Sequence, residues 1–307
     1  MQGRIKRGGA AVIALAAAAA ITVGSAGTGS AAIASGAAGS GSTASSSSTA
    51  APSLQAYGIT SDGKLMAAFT TDKPKELNWV SRIAGLVNDT FVIGIDFRVQ
   101  DGKFYAVGNQ GGIYTISLPR NSTDDVVVTK VSQLSVALNG TTFDVDFNPA
   151  ADRLRVISDT GQNLRHNLGT GTTVSDYSLS SAPGAPAIAG VTAAAYTNND
   201  LNSATATTLF DINTATDQVV VQSPANNGLL APTGALGIAA GTNAGLDIFS
   251  DLSNGKTVSN SAFATLVLPN GDATLNTVDL LTGVATQVTQ SPFPLTITDI
   301  ALALDTD

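Results

Sequence analysis

The sequence predicts an all-β fold: a β-propeller of four-stranded blades, five in number, closed by the C-terminal strand pairing into the N-terminal blade. Three observations predict it. Glu, Lys, Arg and Met are scarce among the 307 residues, while Thr, Val, Gly, Asn and Ser are abundant. That mix favours strands and turns over helices. From Leu54 onward, short apolar-alternating runs are separated by Gly, Asn and Asp clusters, the spacing of an all-β sandwich, barrel or propeller. Internal repetition, the third observation, decides between these.

The repeat shows in three registers. Ile95-Asp96-Phe97, Val145-Asp146-Phe147, Leu246-Asp247-Ile248 and Thr298-Asp299-Ile300 place aspartates at intervals of 50, 101 and 52 residues. The doubled interval leaves one copy near position 196, where Val191-Thr192-Ala193 carries Thr in place of Asp. Tyr57, Tyr105 and Arg155 each stand six residues before a glycine (Gly63, Gly111 and Gly161), and Tyr105 and Arg155 each stand nine after an aspartate. Asn167-Leu168-Gly169-Thr170-Gly171, Asn213-Thr214-Ala215-Thr216-Asp217 and Asp279-Leu280-Leu281-Thr282-Gly283 share an Asx, then a Thr, then a residue that tolerates positive φ. This is the chemistry of a tight turn between two strands.

Each unit therefore reads as four strands, which in the clearest copy fall at 143–147, 154–158, 163–167 and 173–179. Repeated units of roughly 40 to 50 residues with four strands each fit a propeller. Residues 54–85 hold only the last three strands of a unit, at 55–60, 64–70 and 77–83, and residues 295–304 hold only a first strand. Pairing the last strand into the first blade completes both and covers open edges. A six-bladed ring is the main rival, because 225–244 is long enough for extra strands. A β-sandwich is the other.

The domain is expected at 54–307. Residues 1–26 read as a signal peptide: Arg4, Lys6 and Arg7 are followed by Ala10–Val23, apolar but for Thr22, and by a cleavage site at Gly24-Ser25-Ala26. That apolar run is shorter than the roughly 20 residues a bilayer span needs. Lys6-Arg7 is not a twin-arginine pair, so the general export route is expected and the protein is read as secreted or extracytoplasmic. Residues 27–53 are almost wholly Ala, Gly, Ser and Thr, a flexible spacer. The chain has no cysteine, which excludes disulfides, thiolate metal sites and lipid attachment through cysteine. Removing the signal's three basic residues takes the formal charge from −8 to −11. So acidic a chain is a poor partner for nucleic acid or for any membrane beyond the export signal.

Phe147-Asn148-Pro149, Asp152-Arg153-Leu154-Arg155-Val156, Ser158 and Gly161-Gln162-Asn163-Leu164-Arg165 resemble the signature of the secreted bacterial family known as domain of unknown function 4394. Gly94-Ile95-Asp96-Phe97-Arg98 with Asp101-Gly102-Lys103-Phe104-Tyr105-Ala106 resembles the preceding unit of that family. The resemblance covers about Leu54 to Leu304 and implies an exported propeller-like domain. It implies no activity.

Two groups of residues are candidates for chemistry. Arg153, Arg155 and Arg165 lie close together beside Asp159, Gln162 and Asn163 in a chain poor in charge. Strand alternation puts Arg153 and Arg155 on one face, where two guanidiniums could clamp a carboxylate, sulfate or phosphate. The competing reading is an ion-pair network between blades, with Asp144, Asp146 and Asp152 as partners. The second group is the aspartate ring Asp96, Asp146, Asp247 and Asp299, whose oxygens could hold Ca²⁺. Its competing reading is that each aspartate bonds backbone N–H groups of its own blade. No other cofactor is expected.

The lone His166 admits a Ser–His–Asp arrangement with Ser158 or Ser178 only formally, since no nucleophile elbow is visible. Gly58–Lys64 has the spacing of a phosphate loop, but Leu65 stands where Ser or Thr is required and a hairpin is expected there. Trp79 reads equally as an exposed binding anchor or as core. The expected function is therefore non-catalytic binding of a protein or glycan in the cell envelope or medium. The alternative is a hydrolase or lyase in which the arginines orient an anionic substrate and Asp159 acts as base.

Overall fold

The computed structural model describes residues 51–306. The expected signal peptide and residues 27–50 of the expected spacer lie outside the described residues. The rest is β-structure. The first unit contains β1 (Gln55–Thr60), β2 (Leu65–Thr70) and β3 (Trp79–Ala84), and the second β4 (Val92–Arg98), β5 (Lys103–Gly108), β6 (Gly112–Ser117) and β7 (Val126–Gln133). The third is β8 (Phe143–Asn148), β9 (Arg153–Ser158), β10 (Asn163–Asn167) and β11 (Thr172–Ser175). The fourth is β12 (Val191–Tyr196), β13 (Leu209–Asn213), β14 (Gln218–Gln222) and β15 (Leu230–Ala235). The fifth is β16 (Ala244–Ser253), β17 (Lys256–Val267), β18 (Ala273–Val278) and β19 (Ala285–Gln287). β20 (Ile297–Leu302) comes last and pairs antiparallel with β1, Tyr57 opposite Ala301.

Neighbours within each unit are antiparallel. Units one and two are also joined edge to edge by a short parallel pairing of β3 with β7, Ile83 opposite Val126. The helical structure among the described residues is a 3₁₀ turn at Ala225–Asn227. That turn and β15 occupy the segment in which a sixth unit had room.

The turns follow the sequence registers. Asn167, Asn213 and Asp279 each accept a backbone N–H two residues on, from Gly169 (2.9 Å), Ala215 (3.0 Å) and Leu281 (3.0 Å). The residues closing these turns, Gly171, Asp217 and Gly283, have φ of 68°, 53° and 79°. One strand is shorter than expected: β11 stops at Ser175 instead of running to 179. Asp176 still donates its N–H to Asn163 O and turns its carboxylate onto two arginines, and Tyr177 then leaves β10 and donates its N–H to Asn226 O of the fourth unit.

Apolar side chains collect between units. One cluster joins Met66 and Ile83 to Ile95, Phe104 and Tyr114 of the second unit. The second sets Tyr105 and Ile113 against Phe147, Leu154 and Leu164. The third sets Ile157 against Ala194, Leu209 and Val220. The fourth packs Phe210 and Ile212 on Leu246, Ile248 and Leu266. The fifth packs Phe263 and Leu275 on Phe69, Ile297 and Ile300, bringing the fifth unit against the first. Trp79 is half-buried, its ring 6.1 Å from that of Tyr57.

Candidate functional site

The innermost strands β4, β8, β12, β16 and β20 lie side by side, each against the next and β20 against β4. Small residues allow that approach. A Cβ on Gly245 would sit 2.5 Å from Asp299 Cα, and one on Gly94 would sit 2.8 Å from a Val145 methyl. With strands this close, an aspartate on one reaches the backbone of the next.

Asp96 accepts its own neighbour's Phe97 N–H at 2.6 Å and the Phe147 N–H of β8 at 2.7 Å. Asp299 does the same with Ile300 (2.7 Å) and Ile95 of β4 (2.8 Å), and Asp247 with Ile248 (2.6 Å) and Leu302 of β20 (2.5 Å). Asp144 accepts Val145 N–H and Ala194 N–H of β12, each at 2.8 Å. The expected bond to the aspartate's own unit is therefore half of the pattern, and the other half runs to the next unit. β12 carries Thr192 in place of the aspartate, and Thr192 bonds Thr214 of its own unit.

Asp96, Asp146 and Asp247 also converge: one oxygen of each lies within 4.8 Å of the other two, and all three are buried. Asp299 belongs to a different pair, hydrogen-bonded to Asp144. Burial above all, and then the neighbouring carboxylates, holds Asp96, Asp144 and Asp146 well above the ordinary carboxylate range. Burial pushes Asp247 and Asp299 up to about 7, against the pull of their N–H donors. Asp146 accepts the Tyr196 N–H, but its Oδ1 is buried with no hydrogen-bond partner.

The arginine face lies between the third and fourth units. Arg155 is 2% exposed. Its Nε donates to Tyr196 Oη at 3.2 Å, one terminal nitrogen to Asn163 Oδ1 and Asp176 Oδ2 at 2.7 Å each, and the other to Asn226 Oδ1 at 2.8 Å. Arg165 closes on the same carboxylate with two bonds of 3.0 Å. Two guanidiniums do clamp a carboxylate, and it is the chain's own Asp176. Arg153 stands apart, donating to the carbonyls of Ala151 and Asp152. Gln162 and Asp159 hold the preceding loop: Gln162 bonds Ala137 and Asn139, and Asp159 accepts from Thr141 N–H and Oγ1.

Sequence reasoning missed several members of this network. Asp144 and Asp146 instead accept the Ala194 and Tyr196 N–H groups of β12 and do not pair with the arginines. Asp152 pairs with Arg98 of the second unit through two bonds, 2.8 and 2.7 Å. Asp176, Tyr196 and Asn226 carry no repeat signature. Beside Arg155, Asp211 is fully buried with neither carboxylate oxygen hydrogen-bonded, and Gln222 Oε1 is likewise without a partner. Burial raises the Asp211 carboxyl well above its ordinary range, with the Arg155 charge opposing. His166 is buried between Ser132 Oγ (2.9 Å) and Thr173 Oγ1 (3.0 Å), and burial lowers its pKa. Ser158 Oγ instead donates to Asn139 O.

At the C-terminal ends of β4, β12, β16 and β20 lies a cleft of about 480 Å³, lined by Phe97, Val99, Leu201, Leu252 and Leu304 with Asp200 and Asp305 beside them. Leu201 is 63% exposed.

These features define an all-β protein of four-stranded, propeller-like sheets. The chain belongs to the family described as Domain of unknown function (DUF4394), which matches residues 65–301. No protein of curated function matches it. Among solved structures it is similar to the WD40 domain of Toxoplasma gondii coronin, at 13% identity and a TM-score of 0.39, over 76% of this chain and 56% of that one. The chain thus spans a little over half of the coronin domain's length. It is also similar to a structural genomics protein of unknown function from Bacteroides thetaiotaomicron, at 12% identity and a TM-score of 0.41, over 83% of this chain and 68% of that one.

Proposed function

We propose that the chain is a five-bladed β-propeller whose first blade is completed by β20, and that it acts outside the cytoplasm as a non-catalytic module binding a protein or a glycan. The blade count and the ring are supported by the unit-by-unit pairing, by five apolar clusters each shared between units, and by the β20–β1 pairing. Export is supported by the basic and then apolar pattern of residues 1–26.

One observation carries the functional reading: the arginines best suited to bind a substrate are already bonded within the fold. Arg155 donates four hydrogen bonds to its own chain, and Arg165 places two on Asp176. A reaction centre leaves convergent donors facing a cleft. What faces the cleft at the strand ends is an apolar floor with acidic residues beside it, the composition of a contact surface. The hydrolase or lyase reading has correspondingly less support.

The test is direct binding of the full chain to arrayed soluble glycans and secreted proteins, with Leu201→Arg and Val99→Arg as the variants. Both are expected to lose binding by about tenfold or more, as changes at a contact centre do, with an unchanged melting temperature. Turnover of a small substrate that Arg155→Lys abolishes while the protein stays folded would overturn this reading.

A further inference from the structure

We propose that Asp96, Asp146 and Asp247 hold a hard divalent cation, of the calcium class, among the innermost strands. Their oxygens lie within 4.8 Å of one another, a span that ligands about 2.4 Å from one central ion can meet. The donor set is oxygen only, which selects hard cations over the thiolate- and imidazole-binding metals.

The second observation is the Asp146 carboxylate itself. It is 3% exposed, it contributes an oxygen to the cluster, and its Oδ1 has no hydrogen-bond partner. A bare carboxylate oxygen in the interior is costly. Asp96 and Asp247 already have an N–H on each oxygen, yet a carboxylate oxygen accepts at two lone pairs. Each therefore has acceptor capacity left, and Asp146 has a whole oxygen. Three carboxylates this close repel one another as anions, and a cation among them offsets that repulsion.

The location gives the ion a structural role. Aspartate-to-backbone bonds tie unit one to two, two to three, three to four and five to one. From unit four to five the tie lies beyond β12, where Asp200 accepts the Thr257 N–H at 2.8 Å, while Thr192 bonds Thr214 of its own unit. An ion with ligands from β4, β8 and β16 joins units two, three and five from within.

The test unfolds the full chain in denaturant with chelator and refolds it with about 1 mM CaCl₂, MgCl₂ or chelator alone, a concentration that saturates ordinary calcium sites. Metal content is then measured after gel filtration. One calcium or magnesium per chain is expected, with a melting temperature about 5 °C or more above the chelated protein, as ligation of the native state alone produces. Asp146→Asn is expected to lose the metal and its melting response to CaCl₂. Substoichiometric metal under every condition, with melting unchanged by calcium or magnesium, overturns the proposal. So does a melting temperature for Asp146→Asn above that of the unaltered chain in calcium. Should that variant not fold, the metal content of the unaltered chain decides alone.

Discussion

The junction between units two and three and the junction between units three and four use the same register position with different side chains. At the first, Tyr105 sets its ring 5.1 Å from Phe147, within a cluster that includes Ile113, Leu154 and Leu164, and the polar contacts, Tyr105 with Asp101 and Arg98 with Asp152, lie beside that apolar centre. At the second, Arg155 occupies the place of Tyr105, directly across from the axial aspartate of its own unit, Asp146 for Arg155 and Asp96 for Tyr105. It reaches Tyr196 and Asn226 of the fourth unit. The repeat specifies strands and turns and leaves the chemistry of each junction free. An apolar junction is non-directional and tolerates change. A buried polar one depends on every partner, because each group left alone keeps its desolvation cost.

The largest expected difference follows from that asymmetry. Arg155→Met takes the donor from Asn163 Oδ1 and Asn226 Oδ1, leaves Asp176 with Arg165 alone and should cost about 3–5 kcal/mol, whereas Tyr105→Leu, which loses ring contacts and one hydrogen bond to Asp101, should cost about 1–2 kcal/mol. Urea titration of both variants measures this, and the reverse order would break the comparison.

A smaller effect sharpens it. Folding raises the Asp211 carboxyl above its unfolded value, so the native state binds a proton that the unfolded chain releases. The stability from this group is full below the unfolded pKa and is lost as pH rises through the folded one. Asp211→Asn removes that loss. It should stabilise the chain by about 1 kcal/mol at pH 8 and have little effect near pH 5. Melting curves across that range check it, and a variant equally destabilised at both ends would show that Asp211 is held as a paired anion. The smallest effect is at the half-exposed Arg165. Asp176 keeps Arg155 when Arg165 becomes Met, so the loss should be only about 0.5–1 kcal/mol, and a cost near that of Arg155→Met would show that the two arginines act as one unit.

The architecture was legible because it is written locally and repeatedly. Asn167, Asn213 and Asp279 announce turns whatever lies around them, and the aspartates at 96, 146, 247 and 299 mark the innermost strands. The arginine network was only half legible. Alternation puts Arg153 and Arg155 on one face, but nothing in it says what that face meets. The partners of Arg155 lie 21, 41 and 71 residues downstream, at Asp176, Tyr196 and Asn226. Two of them sit outside strands, where no periodicity marks them. Asp144 was open to misreading for a related reason: a carboxylate beside arginines in sequence suggests an ion pair, whereas its strand carries it to β12 and the Ala194 N–H.

The pairing of β20 with β1 also fixes an order of events in the making of the molecule. Tyr57 meets Ala301, so the first unit waits for almost the whole chain to be synthesised. Until then β1 presents an unpaired edge, and the apolar faces of Phe69 and Ala56 lack Ile297, Ile300 and Leu302. Contacts so distant in sequence form slowly. The growing polypeptide thus stays short of its native state until its final strand arrives, and during that interval it depends on being kept apart from its siblings.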